Sequence, residues 1–140
     1  MNSSIRFFSE EVRFILKNKI KIRNWLANVI REENKIVLNI NYIFCSDNYL
    51  LELNKKYLHH DSLTDIITFP ELIHAGIVSG DIYISVERIK ENAGQYLQSF
   101  DKELQRVMVH GVLHLLGYKD KSRKNKLLMT LKEDYYLNKL

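Results

Sequence analysis

The chain has 140 residues, 46% apolar and 27% charged, with 21 Lys and Arg against 17 Asp and Glu for a formal net charge of +4. That length buries one core, and without a Pro-, Gly- or Ser-rich linker or an internal repeat a single domain over residues 1–140 is expected. No apolar run approaches the ~20 residues that span a bilayer, residues 1–10 lack the apolar core of a signal peptide, and a single cysteine excludes a disulfide scaffold, so a soluble cytoplasmic protein with no membrane partner is expected.

Residues 5–8 offer a short strand, and Ile22, Trp25, Leu26, Val29 and Ile30 then recur at helical spacing. Residues 35–44 alternate and are rich in Ile and Val, which predicts a second strand. Cys45, in the apolar run Ile43-Phe44-Cys45, reads as a small buried hydrophobe rather than a nucleophile. Ser46-Asp47 can cap a helix carrying Leu50, Leu51, Leu53 and Tyr57. Residues 64–69 form a β-branched run closed by Pro70, and residues 81–86 another that follows Gly80. Ser85 can cap a helix over 86–96, a further helix covers about 101–116, and Leu127, Leu128, Leu131 and Tyr135 mark a last one. The sum is an α+β chain. Several connections are too short for helical crossovers, so the small sheet is expected to be mixed, packed by about five helices.

The helix over 101–116 carries the chemical signal. His110 and His114 stand one turn apart in His110-Gly111-Val112-Leu113-His114-Leu115-Leu116-Gly117-Tyr118-Lys119-Asp120, so both imidazoles can reach one ion. Gly117 can adopt the left-handed conformation that stops a helix and turns the chain back, which offers Asp120 as a third ligand. The stripe Leu104, Val107, Met108, Gly111, Val112 and Leu115 faces the core, and the two histidines lie at its border, where a pocket between helix and sheet would open. Three ligands leave a coordination position for water or substrate, the arrangement of a catalytic zinc site. The glutamate that serves as base in the zinc-protease signature HExxH is replaced here by Gly111, which counts against a peptidase. Basic residues bunch at Lys17, Lys19, Lys21 and Arg23 and again at Lys119, Lys121, Arg123, Lys124 and Lys126; the second group surrounds Asp120 and would favour a polyanion.

The segment from His110 to Tyr118 resembles the hallmark of the YbeY-type endoribonucleases, the rRNA maturation factors. Asn54-Lys55-Lys56-Tyr57, leading through Asp61 to Thr64-Asp65-Ile66-Ile67-Thr68-Phe69-Pro70, and Gly80-Asp81-Ile82-Tyr83-Ile84-Ser85 agree with the same family in the same order. The resemblance implies a zincin-like α+β fold, one Zn2+ held by His110, His114 and Asp120, and hydrolysis of single-stranded RNA in 16S rRNA 3′-end maturation and ribosome quality control, with ribosomal particles as partners. His114 and His110 would be the catalytic pair through that metal. Lys55, Lys56, His59, Thr64 and Asp65 are the candidate substrate-binding residues, Thr64, Asp65 and Asp81 could orient a ligand or shape the rim, and Tyr57 or Tyr118 could stack bases. Two positions depart from the family pattern. Asp120 stands where a third histidine is usual, and Leu58 stands where the family commonly has an arginine, which passes any phosphate-binding duty to Lys55, Lys56, His59 or His60. Two other readings are an RNA-binding ribosome-assembly factor with a structural metal and a metal-dependent peptidase or amidohydrolase.

Overall fold

A computed structural model describes residues 4–140; residues 1–3 of the expected 1–140 domain lie outside the described residues. The elements run β1 (Ile5–Ser9), α1 (Lys19–Glu32), β2 (Ile36–Cys45), α2 (Asp47–Leu58), β3 (Ile66–Pro70), β4 (Ile77–Ser85), α3 (Val86–Gln95), α4 (Phe100–Leu115) and α5 (Arg123–Leu137). The sheet order is β1-β2-β4-β3, with β1, β2 and β4 parallel and β3 antiparallel to β4 at one edge. It is mixed for the expected reason, since residues 71–76 between β3 and β4 leave no room for a crossover helix. The hydroxyls of Ser46 and Ser85 accept from the Tyr49 and Arg88 amides, so both serines are the N-caps that their positions suggested.

Strand alternation sends Ile40, Tyr42, Phe44, Ile82 and Ile84 to one face, where α1 and α4 complete the main core. Cys45, Leu50 and Ile67 form a smaller cluster on the opposite face with Tyr49, Leu53, Phe69 and Tyr83. Burial pushes the Cys45 thiol up to about 12, in keeping with a packing role and not a nucleophilic one. Two buried hydrogen bonds tie the layers together: the Tyr42 hydroxyl donates to the Met108 carbonyl at 2.7 Å and the Trp25 indole N–H to the Tyr136 carbonyl at 2.8 Å.

Three elements differ from the sequence reading. β4 starts at Ile77 and runs through Gly80, which lies inside the strand and not before it. A side chain there would place its Cβ 2.6 Å from the Phe69 carbonyl oxygen, so Gly80 is the residue that lets β3 approach. Helix α4 buries Val109 and Leu113 as well as the expected stripe, because α3 and α5 cover its back, while Leu115, at the helix end, is only partly covered. Helix α5 forms where Leu127, Leu128, Leu131 and Tyr135 predicted it, but those four side chains are exposed; the buried face is Met129, Glu133 and Tyr136. Charged contacts, described below, decide how that helix is rotated.

The face of α4 turned to the sheet is set by Gly111. A Cβ there would lie 3.0 Å from both Ile66 Cδ1 and Ile82 Cγ2, so helix and sheet are already in contact through the glycine. A carboxylate at this position would be driven into an apolar layer. Gly111→Glu is therefore expected to lower stability by more than ~3 kcal/mol through overpacking and an unpaired buried charge, and to confer no peptidase activity; urea unfolding with a parallel peptide-hydrolysis assay checks both.

Candidate metal centre

Helix α4 ends in a Schellman motif. Gly117, at φ +104°, donates to the His114 carbonyl at 3.0 Å and Tyr118 donates to the Leu113 carbonyl at 3.0 Å. This reversal carries the Tyr118 carbonyl back against the His114 ring, whose Nδ1 donates to it at 3.0 Å. It also brings Asp120 back over the helix end, where Asp120 Oδ2 lies 3.2 Å from His114 Nε2 and 3.3 Å from His110 Nε2. The His110 ring is fixed from α5 instead, its Nδ1 donating to Glu133 Oε2 at 2.6 Å.

These contacts determine which atoms remain for a ligand. A carbonyl only accepts, so His114 carries its proton on Nδ1, and the Glu133 carboxylate imposes the same tautomer on neutral His110. Both Nε2 lone pairs then face Asp120 Oδ2, in a group whose ligand atoms all lie within 4.8 Å of one another. Three electron-pair donors converging on one point repel each other unless a cation lies between them, and this donor set fits a divalent metal such as zinc. The arrangement is the one in which each ligating histidine is oriented by an acceptor behind it. Burial alone disfavours the His110 imidazolium, but the Glu133 carboxylate, with Asp120 and Asp65 nearby, outweighs it and holds His110 above its ordinary pKa.

Glu133 was invisible to motif reading because it lies 23 residues beyond His110 on another helix. Its signal in the sequence is the spacing Met129, Glu133, Tyr136, which sets one acid within a buried helical face. A buried acid needs partners, and the Glu133 side chain, 8% exposed, also accepts from Arg106 at 2.7 Å, while Arg106 reaches Asp134 at 2.6 Å. Glu33, just past the end of α1, holds the other histidine at one remove. It accepts from the hydroxyls of Tyr118 and Tyr136 and from Lys132, and so anchors the residue whose carbonyl orients His114. Burial pushes the Glu33 carboxyl up, but those three donors together hold it below the ordinary value.

The metal donors open into a cavity of about 480 Å³ at the β3 edge of the sheet, walled by β3, the end of α2 and residues 60–65. Thr64 and Asp65 line it, as do Leu58 and Lys121. Asp65 accepts a long hydrogen bond from Asn92, 3.4 Å, and its burial raises its carboxyl pKa despite the opposing influence of His110. Of the adjacent histidines, His60 lines the cavity and His59, in the left-handed conformation that caps α2, does not. Lys55 and Lys56 also lie outside it: Lys55 pairs with Asp61 at 3.7 Å and Lys56 sits over the Tyr57 ring. Asp81 is engaged by Asn41 Nδ2 at 3.0 Å and does not line the cavity. Tyr118 is likewise engaged, under Lys132 and against Glu33. The cluster Lys19, Lys21 and Arg23 lines a separate groove with Trp25 and Leu140.

A sequence model of the family described as Endoribonuclease YbeY matches residues 7–140. Over 127 residues the chain is 52% identical to a Flavobacterium psychrophilum protein named Endoribonuclease YbeY, covering 91% of this chain and 90% of that one. A Cytophaga hutchinsonii protein of the same name is 46% identical over 135 residues, 96% and 94% of the two chains. A solution structure from Thermotoga maritima matches with a TM-score of 0.64 at 30% identity, covering 94% of this chain and 85% of that one.

Two outcomes follow from the contacts behind the histidines. Replacing Glu133 by Gln is expected to weaken metal binding about 10–100-fold while leaving the helical circular dichroism unchanged; competition against a chromophoric chelator measures it. Glu33 has a folded-state pKa below its unfolded one, so its contribution is present above the unfolded value and is lost as pH falls through the folded one. Urea unfolding across a pH series should show the wild type more stable than Glu33→Gln by about 1–3 kcal/mol near neutrality, with the difference disappearing in acid.

Proposed function

Because the chain belongs to the endoribonuclease YbeY family, we propose that it is a single-strand-specific, zinc-dependent endoribonuclease of the cytoplasm. In this reading residues 1–140 form one metal-dependent hydrolase domain that acts on rRNA in ribosomal particles, in 16S rRNA 3′-end maturation and ribosome quality control. The observation that carries the reading is the convergence of His110 Nε2, His114 Nε2 and Asp120 Oδ2 in the lining of an open cavity.

His110, His114 and Asp120, which all line the cavity, would hold one Zn2+ and leave it room for a further ligand. A zinc ion there supplies Lewis acidity toward a phosphoryl oxygen. The chain does the rest. Glu133 and the Tyr118 carbonyl hold the two rings so that neither has to reorient when substrate enters. Asp120 removes one unit of positive charge from the centre that a third histidine would leave in place. Thr64 and Asp65 form the wall beside β3, and the raised pKa of Asp65 suits a group that accepts and returns a proton at its carboxylate. The packing of Gly111 against Ile66 and Ile82 removes the glutamate base of the peptidase alternative.

Incubating zinc-loaded protein with a single-stranded rRNA fragment is expected to give discrete cleavage products on a gel, and both His114→Ala and chelation should abolish them. Cleavage by the wild type no better than by His114→Ala would sink the nuclease reading and favour an RNA-binding assembly role.

A further inference from the structure

Cleavage of a phosphodiester builds negative charge on the non-bridging oxygens, and an enzyme that binds RNA needs donors aimed at them. The cationic or histidine residues near this site in the sequence include Lys55, Lys56, His59, His60, Lys119 and Lys121. The fold separates them. Lys55 stands 3.7 Å from the exposed Asp61, Lys56 lies over Tyr57 and His59 caps α2, and none of the three lines the cavity. Lys121 and His60 line the cavity together with the metal donors, and apart from His110 and His114 they are its only cationic or imidazole side chains among the described residues.

Both are carried on backbone fixed at each side. Lys121 follows Asp120, which lies against the two Nε2 atoms, and precedes Ser122, whose hydroxyl accepts from the Asn125 amide to cap α5. His60 donates its amide to the Asn54 carbonyl at 3.1 Å, and Asn54 Nδ2 in turn holds the Ser62 carbonyl at 2.9 Å. The two side chains line the cavity from different segments of the chain, Lys121 from the α4–α5 connection and His60 from the loop after α2. The first turn of α5 adds Arg123 and Lys124 and contains no acid, so the macrodipole and the side chains there share one sign and favour an anion nearby.

We propose that Lys121 and His60 are the phosphate-contacting pair of this site, gripping the backbone of a bound RNA strand in the cavity that His110, His114 and Asp120 also line; the assignment rests on the nuclease reading above. Leu58, on the same side as His60, then makes the rim apolar where a base can lie. Lys121 supplies a point charge and His60 a single directed N–H, so the pair fixes the strand without reading its sequence.

The test uses the full chain and a fluorescein-labelled single-stranded oligoribonucleotide. Binding to chelator-treated protein is followed by fluorescence anisotropy through a salt titration, and cleavage by the zinc-loaded protein is measured alongside. Each phosphate neutralised on a single strand contributes ~0.7 to the slope of log affinity against log salt. Lys121→Ala is expected to flatten the slope by about that amount, to weaken binding about tenfold for every sequence tried, and to lower kcat/KM chiefly through KM. His60→Ala should weaken binding through the loss of one hydrogen bond, Lys121→Arg should restore the slope, and Lys55→Ala should match the wild type. A wild-type slope in Lys121→Ala, from a protein that still binds and cleaves, overturns the phosphate pair and leaves the nuclease reading standing. If the wild type shows neither salt-dependent binding nor cleavage, both fail together. Lys121 is exposed, so an unchanged melting temperature confirms that the variant is folded.

Discussion

The centre depends on what stands behind its two imidazoles. A histidine presents two nitrogens, and only a partner on one fixes which way the other points. Here Glu133 takes Nδ1 of His110 and the Tyr118 carbonyl takes Nδ1 of His114, and the two Nε2 atoms consequently meet at Asp120. Without those partners each ring would turn about its χ2 bond, and the ligand geometry would have to be assembled at an entropic cost whenever a metal bound. The Schellman turn at Gly117 serves this purpose as much as it stops the helix. The same reversal that satisfies the last carbonyls of α4 carries the Tyr118 carbonyl to His114 Nδ1 and Asp120 to the two Nε2 atoms.

The requirement spreads into the packing. For Glu133 to reach His110, α5 has to turn a charged position inward, which is tolerated only because Arg106 pairs with the second carboxylate oxygen. The rotation leaves Leu127, Leu128, Leu131 and Tyr135 facing outward. Glu33 repeats the pattern on the other side, where two tyrosine hydroxyls and Lys132 converge on one carboxylate. Polar groups buried with all partners in place define a single arrangement of their helices more sharply than apolar contact does. In this molecule the helices so defined are α1, α4 and α5, the frame behind the centre.

The sheet side is governed by close approach. Gly111 brings α4 down onto Ile66 and Ile82, and Gly80 lets β3 lie near the middle of β4. The first contact sets the depth of the histidines relative to the sheet, and the second places the edge strand that forms the cavity wall. The cavity is thus bounded on one side by a strand held in register, while Lys121 and His60, which also line it, come from two connections between elements.

The elements were legible because their signals are local. Period-two alternation in residues 35–44, the serine caps at 46 and 85, and the glycine stop at 117 depend on neighbours a few residues away, and each appears where the pattern placed it. The pairing of His110 with His114 was legible for the same reason, one helical turn being a fixed distance. Burial in α5 was not, since Leu127 and Glu133 exchange the places that hydropathy assigns them once Arg106 and His110 supply partners from another helix. Nor could the sequence separate His60 from His59, or Lys121 from Lys55, because which of two nearby side chains enters a cavity depends on a left-handed residue and on where the opposite wall stands. The sequence by itself determined the helix, the turn and the ligand types, which are matters of spacing along one chain. Only the tertiary structure decided which nitrogens converge on Asp120 and which basic side chains line the cavity, because the partner that turns His110 lies 23 residues away on another helix and the cavity is walled by separate elements.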